Sequence, residues 1–235
     1  MKFATIREQC CLANLELVQF GLVDMTFGNV SVFDPKEQVF AIKPSGVDYE
    51  GLKPTKIVIV DLEGNIVDGD LRPSSDTPTH RSLYLALGKS GVHAVAHTHS
   101  RNAVAFAQAR MPIPCFGTTH ADFFNGPVPV TRVMTKQEVQ GAYEWETGMV
   151  IEESFEKVNP LETPAILVAN HGPFTWGVTA KKAVEHALAL EVAAEMAMKT
   201  LAINPNAEPI ADYLLAKHFK RKHGATAYYG QDENA

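Results

Sequence analysis

The sequence predicts a layered α/β domain in which helices cover a central mixed sheet. Two observations carry that prediction. Short β-type runs bounded by turn residues recur along the chain, interleaved with stretches of helical apolar spacing. Two largely apolar runs, 92–96 and 165–169, read as buried strands, and a histidine follows each closely, His97 and His171. The 235 residues can bury a proper core. No internal repeat, low-complexity segment or linker divides them, so residues 1–235 read as one domain. The spacing does not give the strand order.

Taken in order, residues 3–19 form an amphipathic helix. Ile6, Cys10, Leu15 and Val18 can share a face, Arg7, Glu8 and Glu16 can meet water, and Gly21 ends it. The runs 30–33, 39–43 and 57–61 are β-type, punctuated by turns at Asp34-Pro35 and Glu63-Gly64-Asn65. Asp76 or Thr77 can cap a helix that carries Pro78 in its first turn and runs to about 87. After the strand to His97 comes a helix over 101–109, and Pro112 and Pro114 break the chain beyond it. Thr135 and Glu138 make a capping box, which predicts a helix to about 155. Residues 180–201 are the longest helix, with Val184, Leu188, Val192 and Met196 on one stripe, and a final helix covers 210–222.

Composition excludes several classes. A net charge of −6 lacks the basic footprint of a general nucleic-acid binder. The three cysteines are odd in number, and Cys10 and Cys11 are adjacent, so a reducing compartment is expected. Lys2, Arg7, Glu8 and Glu16 interrupt the apolar N-terminus, which is therefore not read as a signal peptide. No apolar run is long enough to cross a bilayer. A cytoplasmic protein with neither nucleic-acid nor membrane partners is expected.

Three groups of residues could carry chemistry. His97 and His99 lie two apart at a strand end, where alternation points both the same way. With His171 at another strand end, and Asp76 in the turn 72–78, they suit a borderline divalent ion such as zinc, with manganese or cobalt as alternatives. Two plainer readings stay open, Asp76 as an N-cap and His171 as a turn residue. The second group is a set of turns, Thr26-Phe27-Gly28-Asn29, Lys43-Pro44-Ser45-Gly46 and Ser74-Ser75. They offer N–H groups, hydroxyls and one ammonium, a fit for a phosphate dianion, although such turns are also ordinary. The third is the basic and aromatic C-terminus, 217–224 and then Tyr228-Tyr229, whose plain reading is a solvated helix face and a packing tail. His80, His93, His120, His186 and His223 read as surface or packing residues, with His186 exposed.

Longer motifs carry a resemblance. Gly28-Asn29-Val30-Ser31, Ile42-Lys43-Pro44-Ser45-Gly46-Val47-Asp48-Tyr49, Arg72-Pro73-Ser74-Ser75-Asp76-Thr77-Pro78-Thr79-His80 and His97-Thr98-His99-Ser100 come in this order. They are followed by Gly117-Thr118-Thr119-His120-Ala121-Asp122, Tyr143-Glu144-Trp145-Glu146-Thr147-Gly148, His171-Gly172-Pro173-Phe174 and the stretch 221–231. Together they resemble the bacterial L-ribulose-5-phosphate 4-epimerases, a branch of the class II aldolase and adducin-head superfamily, over nearly the whole chain. The resemblance implies a three-layer α/β/α sandwich around a mixed, largely antiparallel sheet. It also implies a homotetramer with active sites at subunit interfaces and the interconversion of L-ribulose 5-phosphate and D-xylulose 5-phosphate. It places a metal, zinc first, at Asp76, His97, His99 and His171. Substrate and phosphate contacts fall to Gly28, Asn29, Lys43, Ser45, Gly46, Ser74 and Ser75. Acid/base roles fall to Asp122 and Tyr229, which reach the site from a neighbouring subunit.

The rivals differ at particular positions. In aldolases of the superfamily, such as those acting on L-fuculose 1-phosphate, the place of Asp76 is typically a longer Glu that serves as acid/base. Adducin-like interaction modules can lose the histidines that this chain keeps. An unrelated metallohydrolase is the third rival: one such class needs an Asp two residues beyond the second His, where Arg101 stands, and an amidohydrolase barrel is longer than this chain.

Overall fold

Residues 2–155, 158–223 and 227 are described by the structure, a computed structural model. Seven strands make one sheet: β1 (Asn29–Asp34), β2 (Val39–Ile42), β3 (Val58–Asp61), β4 (Ile66–Asp68), β5 (Ala94–His97), β6 (Ala165–Val168) and β7 (Gly172–Gly177). Their order is β4-β3-β2-β1-β5-β7-β6. Every pairing between them is antiparallel. The expectation of a largely antiparallel sheet therefore holds, and its parallel component among the described residues is the isolated bridge of Val130 with Leu167.

The helices are α1 (Ala4–Gln19), α2 (Thr77–Leu87), α3 (Arg101–Ala109), α4 (Thr118–Ala121), α5 (Lys136–Gln140), α6 (Tyr143–Ser154), α7 (Ala180–Ile203) and α8 (Asp212–His223). Side-chain alternation along the strands makes the layers. Val30, Val32, Ala41, Ile59, Ala94 and Ala96 face α1 and α7. Phe33, Phe40, Ile42, Val60, Val95 and Trp176 face α2 and α6. Ala165 and Leu167 pack on α3 and α7. His97 continues the row of Val95, so it emerges on the α2 side at the end of β5.

Several sequence expectations are corrected. Arg7 is buried, not solvated: it donates to the Ile57 carbonyl and pairs with Asp68 at 2.9 Å. Val18, expected inside, is exposed. The helix expected over 135–155 is two helices, α5 and α6, parted at Gly141 and Ala142. The expected capping box does form at Thr135. In α7, Met196 is exposed, and of the expected stripe only Val184 is fully buried; the rest of the buried face is Ala183, Ala187, Leu190, Ala194 and Ala197, mostly alanines that let a long helix lie close against the sheet and α3. His186 is buried and hydrogen-bonded to the Trp176 carbonyl at 2.7 Å.

Buried histidines give the fold a pH dependence. Burial holds His80 down at about 3, and His120 and His186 at about 4. Unfolded imidazoles take a proton near pH 6.5, so between there and about pH 4 the unfolded chain binds more protons. Stability is full above pH 6.5 and falls as pH drops toward 4. By about pH 4 each ring should cost on the order of 3 kcal/mol, and a native domain has only about 5–15 kcal/mol in total. Urea unfolding of the chelator-treated protein should therefore show a midpoint that collapses between pH 6.5 and 4.5. A flat midpoint over that range would contradict neutral burial of these rings.

Candidate active site

The turn entering β1 is forced close to the end of β5. Gly28 has φ +78°, and a Cβ there would stand 2.8 Å from the His97 carbonyl oxygen, so only glycine fits both the conformation and the approach. Asn29 then pairs in register with His97. From β2 the chain passes into Lys43 and Pro44, which is bridged to Pro73. Ser45 N–H donates to the Arg72 carbonyl at 3.0 Å, and Ser74 N–H to that of Lys43 at 3.0 Å. Three segments far apart in sequence are thus stitched into one wall ahead of α2.

Asp76 occupies the N-cap position of α2, but its carboxylate makes no capping bond. It accepts from Asn29 Nδ2 at 2.6 Å instead. Burial pushes the Asp76 carboxyl up, but His97, His80 and the Asn29 hydrogen bond outweigh it, so its pKa lies below the usual value. Asn29 Nδ2 also reaches Ser74 Oγ at 3.2 Å, while Asn29 Oδ1 is buried with no partner among the described residues. A buried acceptor left open beside a carboxylate suits a donor brought by a ligand.

The three histidines converge. β5 ends at His97, so strand alternation places that ring, and His99 follows in the segment beyond. His171 lies in the turn between β6 and β7, donating its backbone N–H to the Val168 carbonyl at 3.0 Å. A Cβ on Gly172 would stand 2.9 Å from the Thr98 carbonyl oxygen, and this tight contact brings the turn against the His97–His99 segment. One ligand atom from each of His97, His99 and His171 lies within 4.8 Å of the others.

The donor set fits a divalent ion. His97 Nδ1 donates to the Pro173 carbonyl at 2.9 Å, and its ring stacks on Phe174 at 4.2 Å between centroids. That fixes the tautomer and leaves Nε2 with its lone pair. His99 Nε2 stands 3.1 Å from His97 Nε2, near the separation of about 3.3 Å that two nitrogens adopt on one tetrahedral zinc. His171 is pushed down to about 4 by burial and then by its histidine neighbours, so it is neutral at physiological pH, the form that binds metals.

All of these residues line one cavity of about 360 Å³: Gly28, Asn29, Lys43, Ser45, Gly46, Ser74 and Ser75 together with Asp76, His97, His99 and His171. Lys43 is 2% exposed, and its ammonium has no hydrogen-bond acceptor among the described residues. Tyr143 and Glu144 also line the cavity, and Tyr143 Oη stands 3.4 Å from His171 Nδ1. Sequence patterning gives these two no role, because it runs one helix through them. Gly141, inside that stretch, is the signal for the break that makes Tyr143 the first residue of α6.

Asp122 is not among the residues lining this cavity. It ends α4 and lines a separate hollow with Trp176, His186 and Lys222. Its carboxylate is held in place among cationic side chains. Arg221 grips its carboxylate with two hydrogen bonds, at 3.1 and 2.8 Å, and His218 adds a third at 3.0 Å. Of the basic run of α8, expected to be a solvated face, His218, Arg221 and Lys222 turn in to form this clamp, while Lys217 and Lys220 are exposed. Tyr229 lies outside the described residues.

Residues 8–198 match the family described as Class II Aldolase and Adducin N-terminal domain. The chain belongs to that family. The class II aldolases of the family are metal-dependent, and the histidine cluster is present here. The chain is 51% identical over 226 residues to a protein named L-ribulose-5-phosphate 4-epimerase UlaF from Salmonella typhi, covering 96% of this chain and 98% of the relative. A protein of the same name from Salmonella paratyphi B (strain ATCC BAA-1250 / SPB7) matches to the same extent. Among solved structures, an L-fuculose 1-phosphate aldolase superposes with a TM-score of 0.78 at 25% identity, over 94% of this chain and 97% of that one. The l-fuculose-1-phosphate aldolase from Thermus thermophilus gives 0.68 at 25% identity, over 87% and 99%. No helix among the described residues is long and apolar enough to cross a membrane.

Proposed function

We propose that this chain is an L-ribulose-5-phosphate 4-epimerase, a single catalytic domain that interconverts L-ribulose 5-phosphate and D-xylulose 5-phosphate. The observation that carries this reading is the cavity in which a three-imidazole corner faces an ammonium and hydroxyl cradle. Identity to the two Salmonella relatives supports the substrate. The inverted carbon, C4, is not adjacent to the C2 ketone, so deprotonation there has no enolate to stabilise it. Breaking the C3–C4 bond does give one, with glycolaldehyde phosphate as the other fragment. Turning that aldehyde and re-forming the bond on its other face inverts C4.

His97, His99 and His171, with Asp76 beside them, would hold the ion, zinc first and manganese or cobalt as alternatives. Bound there, it supplies Lewis acidity that stabilises negative charge on the ketone fragment. Lys43, Ser45, Ser74 and Ser75, with the Gly28–Asn29 turn and Gly46, hold the phosphate and keep the aldehyde from leaving. Asp122 and Tyr229 exchange the C4 hydroxyl proton from opposite faces, reaching the cavity from a neighbouring subunit of a homotetramer. The setting is cytoplasmic pentose catabolism, of the arabinose or ascorbate type.

Incubation of the purified protein with L-ribulose 5-phosphate, with separate assays for xylulose 5-phosphate and free aldehyde, tests this directly. Xylulose 5-phosphate without aldehyde is the expected product. Accumulating aldehyde would mark an aldolase, and no turnover would refute both. Ser75→Ala and Lys43→Met should each weaken binding of phosphorylated sugar by about 1.5–3 kcal/mol, the scale of one charge-assisted hydrogen bond. Parental affinity for substrate and inorganic phosphate in either variant would move the cradle elsewhere.

A further inference from the structure

Tyr49 takes no part in the chemistry, yet it touches both arms of the cradle. It follows Lys43-Pro44-Ser45-Gly46 by three residues and opens a short 3-10 turn. Its ring packs with Leu52, Ile57 and Ile59 in the core beneath α1. Its hydroxyl reaches the Gly28 carbonyl at 2.8 Å and the Phe27 carbonyl at 3.0 Å. Burial pushes its pKa up, so the hydroxyl keeps its one proton and donates it, shared between the two carbonyls. The face of the same ring carries Lys43 Nζ, 4.7 Å from its centroid.

These contacts aim donors. In a trans peptide the N–H points opposite to the carbonyl. A hydroxyl gripping the Phe27 carbonyl therefore turns the Gly28 N–H away from Tyr49, and that N–H has no partner among the described residues. The cation–π contact settles the second donor. A buried ammonium is normally paired with a carboxylate, which would cancel the charge and repel an incoming dianion. An aromatic face holds the cation by its quadrupole and adds no negative charge, and Asp48, whose field reaches Lys43, makes no salt bridge with it. The hydrogen bonds to the Gly28 turn also tie this arrangement to the His97 carbonyl, which Gly28 approaches so closely.

We propose that Tyr49 is a positioning residue for phosphate recognition, holding the Lys43 ammonium clear of any carboxylate contact and the Gly28 N–H aimed, so that one dianion meets both. The proposal rests on the reading of this cavity as a phosphate site. Tyr49→Phe keeps the ring but drops the grip on the carbonyls, and Tyr49→Leu drops both. The measurements are inorganic phosphate affinity of the metal-loaded protein by calorimetry, kcat and KM for L-ribulose 5-phosphate, and melting temperature without phosphate.

Phosphate affinity should fall about threefold in Tyr49→Phe and about tenfold or more in Tyr49→Leu, with KM rising more than kcat falls. Because Tyr49 acts through Lys43, Lys43→Met combined with Tyr49→Leu should bind phosphate less weakly than the product of the two single losses requires. Parental phosphate affinity in both Tyr49 variants, even with a lowered melting temperature, would make Tyr49 a core residue only and overturn the inference. So would losses that simply multiply. If Lys43→Met itself binds phosphate like the parent, the phosphate reading fails first, and that failure is read from a different variant.

Discussion

His97→Asn and His171→Ala are expected to lose the bound divalent ion and nearly all turnover. His97 is held on two sides, by the hydrogen bond from Nδ1 to the Pro173 carbonyl and by the stack on Phe174. Its Nε2 is left for one purpose, and Asn at that position cannot place a nitrogen there. Removing one of three clustered imidazoles should cost more than the roughly 10–100-fold in metal affinity that loss of a mere supporting hydrogen bond costs. The substitutions should leave the sheet intact, because β5 pairs through its backbone with β1 and β7. Circular dichroism, followed by elemental analysis after dialysis, separates metal loss from misfolding. Full metal content in both variants would place the ion elsewhere. Affinity in the parent should fall as pH drops toward 4, where His171 begins to take a proton that competes with the metal.

The site was more legible in the sequence than the fold that builds it. Histidines two apart after a buried apolar run converge for a geometric reason, and His171 after a second such run repeats the signal. The turns at Gly28, Lys43 and Ser74 could each be found from their residue types, but not their meeting, which depends on bonds such as Ser74 N–H to the Lys43 carbonyl. β7 was missed because Gly172-Pro173 and a closing Gly177 look like loop, although every residue between is buried. β4 is short and exposed at the sheet edge, so it carries no apolar pattern to read. On α7, large aliphatic residues suggested one face, and alanines won because close packing favours small side chains. Arg7 and the α8 clamp on Asp122 are hidden from the sequence for the same reason: a charged side chain reads as solvated when its partner lies far along the chain.

Asp122→Asn should keep the fold and the metal but slow epimerisation by about a hundredfold or more, the scale of one lost acid/base group. Burial pushes the Asp122 carboxyl up, but hydrogen bonds from Arg221 and His218, with Lys222 nearby, bring it below the usual carboxylate range. It is therefore ionised at neutral pH and poised to accept a proton, whereas a tyrosine phenol near pKa 10 is poised to give one. Tyr229→Phe should slow turnover to a similar extent, and truncation before Tyr228 should do the same. Cleavage to glycolaldehyde phosphate should survive in one of the two single variants, since only one face of the aldehyde is disabled. The position of Asp122, in a hollow apart from the histidines, makes a sharper test available. If it serves a neighbouring subunit, refolding Asp122→Asn together with His97→Asn should restore activity that neither variant has alone, because mixed assemblies contain sites drawing both residues from intact partners. No recovery in mixtures of confirmed mixed composition would refute the shared site. Parental turnover in Asp122→Asn would remove that carboxylate from the chemistry, and parental turnover in the truncated chain would do the same for Tyr229.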